Sequence, residues 1–228
     1  MSVPEYGRAF GLWREAARTE WAAYTRHAFV EGLKDGTLPR ECFLHYLVQD
    51  YVFLVHFSRA WALAVVKSET LEEMKSAAAT VDGLVNHEMR LHVGICEEAG
   101  IPEADLYSAS ESTANLTYTR YVMDAGLSGD FADLMAALAP CVMGYGEIGA
   151  RLAGEATADT PYRDWIETYA ADDYQQLCRD VGGMIDRALE RRIGTDFAAA
   201  PRWAQLSERF ATATRLEVDF WQMGWDRS

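Results

Sequence analysis

Apolar residues recur along this chain three and four positions apart, in blocks too long for strands. After Pro39, the residues Phe43, Tyr46, Leu47, Phe53, Leu54, Phe57 and Trp61 share one helical face. Phe210, Ala213, Phe220, Trp221 and Trp225 repeat the pattern near the C-terminus. Leu134, Leu138, Cys141, Tyr145, Ile148 and Leu152 form a third stripe, and Val81, Leu84, Val85, Glu88, Leu91, His92 and Ile95 a fourth. Helices are predicted near 5–28, 39–67, 70–99, 112–127, 130–154, 162–172, 173–193 and 201–225, and no alternating β-branched run reads as a strand. Turn signals fall between these blocks, the clearest at Asp35-Gly36-Thr37-Leu38-Pro39, Gly100-Ile101-Pro102, Ser128-Gly129-Asp130 and Asp159-Thr160-Pro161. Without linkers or internal repeats, the pattern predicts one all-α domain over 1–228, a bundle with some long helices.

Composition narrows the function. The 228 residues are 50% hydrophobic and 25% charged, as in ordinary globular domains. The net charge is −14, and the densest basic spot, Arg187, Arg191 and Arg192, is interrupted by Glu190. Nucleic acid is therefore not expected as a partner, whereas cationic small molecules are mildly favoured. Cys42, Cys96, Cys141 and Cys178 are widely spaced and form no CxxC pair, which fits reduced thiols in a cytoplasmic protein. The segment MSVPEYGRAF lacks the apolar core of a signal peptide. The uncharged stretch Leu134 to Gly146 is too short to span a bilayer, so no membrane association is expected.

Candidate chemistry lies where polar residues interrupt the apolar stripes. Asp50 falls inside the first stripe and Glu217 inside the second. A buried carboxylate needs partners, so each is either satisfied in the core by Tyr, Arg or backbone groups, or belongs to a binding site. Two such residues on separate helices suggest a polar cavity within the bundle. Cys141 and Tyr145 point the same way, and a buried cysteine can be simply a small hydrophobe. Pro140 leaves two options: a kink, or a new helix start that would place Cys141 where a thiolate is favoured. Glu88 and His92, four apart, could be half of a metal site or a hydrogen-bonded pair. No ExxH motif accompanies them, and no glycine-rich phosphate loop or GxSxG motif occurs.

A set of motifs in fixed order resembles the TenA family, the thiaminase II enzymes. It comprises DGTLP at Asp35–Pro39, FLHYLVQDYVFL at Phe43–Leu54, HEMRLH at His87–His92 and LSGDF at Leu127–Phe131. PCVMGYGEIG at Pro140–Gly149, YRDWIETYA at Tyr162–Ala170 and EVDFWQMGW at Glu217–Trp225 complete it. The resemblance implies a haem oxygenase-like all-α fold, commonly a homotetramer, with a pocket inside each bundle and no cofactor. It implies hydrolysis at the methylene carbon of a 4-amino-2-methylpyrimidine, releasing the hydroxymethylpyrimidine from thiamine or from 4-amino-5-aminomethyl-2-methylpyrimidine. By position, Cys141 matches the family nucleophile and Glu217 the acid that protonates a ring nitrogen. Asp50 matches the carboxylate that hydrogen-bonds the 4-amino group. Tyr118, Tyr145 and Tyr169 match pocket tyrosines. Phe53 stands where some members carry tyrosine, which preserves ring stacking but removes a hydroxyl. Tyr51 is the neighbouring residue that could supply it.

Overall fold

A computed structural model describes residues 4–228; the first three residues and the side chain of Leu91 lie outside the described residues. The described chain is helical, with no strand. In order run α1 (Arg8–Ala16), α2 (Arg18–Thr25), α3 (Ala28–Asp35), α4 (Arg40–Lys67), α5 (Leu71–Gly83) and a π-helical turn (Leu84–Glu88). They continue with α6 (Met89–Glu98), α7 (Glu103–Tyr107), α8 (Thr113–Ser128), α9 (Phe131–Glu155), α10 (Arg163–Ala170) and α11 (Asp172–Ile193). A 3-10 turn (Phe197–Ala199) leads into α12 (Trp203–Asp226).

The expected long helices form, and the differences have local causes. The predicted helix at 5–28 breaks at Ala17, whose backbone leaves helical geometry (φ −102, ψ 30) while its methyl stays buried. The helix α3 was not anticipated because its cap is His27, whose Nδ1 accepts from the Phe29 amide at 3.2 Å. Serine, threonine and aspartate are the usual signals at that position. The short α7 was also missed. The block 70–99 is continuous but widens at Leu84–Glu88, and this shift of helical phase turns Val85 out to solvent. Trp225, placed inward by its stripe, is also exposed. The buried face of α12 continues instead through Gly224, which packs on Phe29 and Tyr46.

The DGTLP turn forms as expected. Gly36 closes α3 in the left-handed region (φ 76), and the Asp35 carboxylate accepts from the amide and the hydroxyl of Thr37. Pro39 then opens α4.

Helix α9 is the centre of the bundle and packs against α12, α10, α11 and α8. Its start is fixed by Asp130, whose side chain accepts from the amides of Ala132 and Asp133, while the Asp133 carboxylate accepts from the Asp130 amide. Arg202 pairs with both aspartates, and Arg209 Nε donates to Asp133 at 2.7 Å. These charge-assisted bonds tie the start of α9 to α12, the two helices that carry Cys141 and Glu217. Helix α9 has 25 residues and is long and apolar enough to cross a membrane, but 89% of its most apolar window is buried within the protein. The apolar run read from sequence is thus one part of a longer core helix. That helix runs unbroken through Pro140.

Close backbone approach sets two glycines. A Cβ on Gly149 would collide with the backbone of Tyr169, and one on Gly182 with the carbonyl of Tyr6. The sequence reading found no phosphate-loop context for Gly182-Gly183; the structure assigns Gly182 to the contact that seats the N-terminal segment on α11. Gly149→Ala is expected to cost about 1–3 kcal/mol by overpacking. Gly11→Ala, in α1 with no atom within 4 Å of the new methyl, is expected to gain about 0.5–1 kcal/mol of helix propensity. Urea unfolding of the two variants checks this contrast, and equal stabilities would contradict it.

Candidate active site

Asp50, on the inward face of α4, is buried, and its Oδ2 is engaged twice. His92 Nε2 lies 2.5 Å from Asp50 Oδ2, and the Tyr46 hydroxyl donates to the same oxygen at 3.2 Å. The other ring nitrogen of His92 bonds the Glu88 carbonyl at 3.0 Å. Burial alone would depress the His92 pKa, but the Asp50 charge outweighs it and raises the pKa to about 9. His92 is therefore an imidazolium at neutral pH and donates from both nitrogens. Behind Tyr46 the network extends: the Tyr145 hydroxyl lies 3.3 Å from the Tyr46 hydroxyl, and Trp165 Nε1 donates to it at 3.3 Å.

Glu217, on α12, is also buried but has no cationic partner among the described residues. The Tyr118 hydroxyl donates to its Oε1 at 2.8 Å. Burial, with the nearby Asp50 charge, pushes the Glu217 pKa up to about 8, so the group carries a proton at neutral pH. Cys141 sits mid-helix on α9. Burial holds its thiol well above the usual range, and Glu217, Glu88 and Asp50 add to that. The helix start at Pro140 that would favour a thiolate does not form, so the resting sulfur is a neutral thiol.

Asp50, Phe53, Cys141 and Tyr145 line one inner cavity of about 30 Å³. Tyr118 packs on Phe53 with ring centroids 5.1 Å apart, and its hydroxyl continues the site to Glu217. Tyr169 lies farther out. It lines an adjoining vestibule of about 370 Å³ and donates to Glu88 Oε1 at 3.1 Å. The inner cavity and the vestibule share Thr80, Leu84, Glu88, Tyr174 and Leu177 as walls. An inner space of about 30 Å³ holds one or two waters, so a ring can enter only if the walls part.

Several relationships differ from expectation. His92 was paired in sequence with Glu88, four residues away, but its side-chain partner is Asp50, 42 positions away. That leaves no free His92 nitrogen for the half metal site. Among the described residues, no three His, Cys, Asp or Glu side chains form a metal-binding cluster. Tyr51 does not replace the hydroxyl that Phe53 lacks, because it faces Glu103 and Tyr107 around α7. Sequence reasoning also passed over Tyr46, which looked like an ordinary core aromatic, and Tyr24. The Tyr24 hydroxyl is fully buried near Glu217 and Cys141.

The Asp50–His92 pair makes stability depend on pH. A histidine whose folded pKa is raised stabilises fully below its unfolded value, about 6.5, and loses that contribution as pH rises through about 9. The difference is on the order of 3 kcal/mol. Relative to His92→Gln, the unmodified protein is expected to lose its advantage across this window in chemical denaturation. A gap independent of pH from 6 to 10 would contradict the pairing.

The TENA/THI-4/PQQC family model matches residues 14–227. An uncharacterized protein of Haemophilus influenzae is 38% identical over 214 residues, 93% of this chain and 96% of its own. An aminopyrimidine aminohydrolase of Halalkalibacterium halodurans is 32% identical over 214 residues, 93% of each chain. The crystal structure of a TenA family transcription regulator from a Silicibacter species matches with a TM-score of 0.96 at 64% identity, over 99% of both chains. A Shewanella denitrificans domain with a haem oxygenase-like fold matches with a TM-score of 0.73 at 13% identity, over 96% of this chain and 92% of that one. That last likeness concerns the fold alone. The chain belongs to the TENA/THI-4/PQQC family and has its haem oxygenase-like all-α fold.

Proposed function

We propose that the protein is an aminopyrimidine aminohydrolase of thiamine salvage, a thiaminase II. On this reading it converts 4-amino-5-aminomethyl-2-methylpyrimidine, and thiamine, to the 5-hydroxymethyl compound through Cys141. The observation that carries the reading is a thiol and an engaged carboxylate lining one cavity, with a protonated carboxyl beside the thiol. Curated relatives named aminopyrimidine aminohydrolase support the substrate class. A homotetramer is part of the same reading and rests on the family resemblance, and a cytoplasmic location rests on the widely spaced cysteines. A net charge of −14 weighs against a DNA-binding alternative.

Each group has one task. Asp50, held by His92 and Tyr46, accepts hydrogen bonds from the 4-amino edge and so fixes the ring in register. Phe53 supplies an apolar face for the ring. Glu217 gives its proton to a ring nitrogen, which makes the ring electrophilic. Cys141 Sγ then bonds a ring carbon, and its proton passes to the vacated Glu217 carboxylate. Loss of aromaticity lets the methylene substituent leave with the electrons of its bond. Water adds to the methylene carbon and gives its spare proton to the released group or to solvent; the sulfur departs with the C–S pair and takes its proton back from Glu217, which recovers its own from the ring nitrogen. Because the thiol is neutral at rest, this scheme requires the substrate to trigger thiolate formation.

Cys141→Ala is expected to lower release of hydroxymethylpyrimidine on the order of a thousandfold or more. Its folding free energy should change by only about 1–2 kcal/mol. Mass-spectrometric product assay with parallel unfolding checks both, and retained turnover would remove the covalent mechanism. With Glu217 required as an acid, kcat/KM is expected to fall above about pH 8. A rate that keeps rising to pH 10 would exclude that role.

A further inference from the structure

We propose that Glu88 is the specificity-determining carboxylate of this site and, aided by Tyr169, receives a cationic nitrogen carried on the substrate's methylene arm. The inference rests on the aminopyrimidine reading and extends it to a residue outside the catalytic set.

Placement is the first argument. Glu88 ends the π-helical turn and is a wall of both the inner cavity and the vestibule, so it stands where the two meet. A ring held by Asp50, Glu217 and Cys141 fills the inner space, and only the vestibule is large enough to take its substituent. The methylene arm must therefore pass Glu88.

Charge balance is the second. Asp50 is compensated by the His92 imidazolium, and Glu217 carries its own proton. Among the described residues the Glu88 carboxylate has a neutral side-chain donor, the Tyr169 hydroxyl at 3.1 Å, and forms no salt bridge with Lys or Arg. His92, one turn on, turns its ring to Asp50 and bonds only the Glu88 backbone carbonyl. The other ionisable groups on the vestibule wall are His87, Asp173 and the Tyr174 hydroxyl. A half-buried carboxylate whose only side-chain hydrogen bond is from a hydroxyl, with the His92 charge acting on it without contact, gains from an arriving cation, and desolvation already raises the Glu88 pKa.

The chemistry of the ligands matches. The ammonium of an aminomethyl arm and the thiazolium of thiamine both place positive charge beside the methylene carbon. The alcohol product is neutral there. Glu88 would therefore bind substrates more tightly than product and favour release after each turnover.

The test measures dissociation constants by calorimetry in the Cys141→Ala background, which blocks turnover, with and without Glu88→Gln. The ligands are the aminomethylpyrimidine, thiamine and the neutral hydroxymethylpyrimidine. Glu88→Gln is expected to weaken the cationic ligands by about tenfold or more and the neutral one by less than about twofold. Weakening of only one cationic ligand supports the proposal and identifies which cation the residue serves. Tyr169→Phe, which keeps the ring, is expected to give the same pattern at smaller size. Equal weakening of all three ligands, or no change in any, would overturn the role. If the Glu88-containing protein binds none of the three, the aminopyrimidine reading itself fails, and this inference with it.

Discussion

Asp50 is a charge placed in the middle of an apolar helix face, and the rest of the site follows from how that charge is accommodated. A buried carboxylate left alone would cost several kcal/mol. The protein answers with His92, brought from α6 to 2.5 Å, and with the Tyr46 hydroxyl one turn earlier on α4. His92 can reach Asp50 only with its ring held in one orientation, and the bond from its other nitrogen to the Glu88 carbonyl holds it there. The π-helical turn that ends at Glu88 is thus part of the same arrangement. It sets the register of α6 against α4 and also supplies a wall of the cavity.

Once Asp50 is paired, the remaining acids can hold different proton states within one small space. Glu217 receives a tyrosine hydroxyl instead of a cation and keeps its proton to about pH 8. Cys141, surrounded by these carboxyls, stays a thiol. One fold therefore presents a hydrogen-bond acceptor, a proton donor and a nucleophile in waiting, distinguished only by their partners. The salt-bridged joint between the starts of α9 and α12 keeps the last two in register.

The helical architecture was legible because its stripes are long and regular. Asp50, Glu217 and Cys141 stood out as polar or reactive residues on those stripes, and each lies in or beside the cavity. The roles assigned to them came from the ordered family motifs and not from periodicity. What escaped depends on distances between helices. The i, i+4 spacing pointed His92 to Glu88, whereas packing gives it to Asp50. Tyr46 and Tyr24 look like any core aromatic until their hydroxyls are placed. The wide turn at Leu84–Glu88 has no sequence signature, so Val85 was put on the wrong face. Trp225 was misplaced for a related reason: the buried face of α12 drifts to Gly224 by its last turn.

Burial makes Glu217 a proton donor while Asp50 beside it stays engaged with a cation. A carbon-13 NMR titration of the glutamate side chains, with Glu217→Gln to assign the resonance, tests this. A Glu217 midpoint near pH 8 is expected. A midpoint in the ordinary carboxylate range, about 4 to 5, would contradict it.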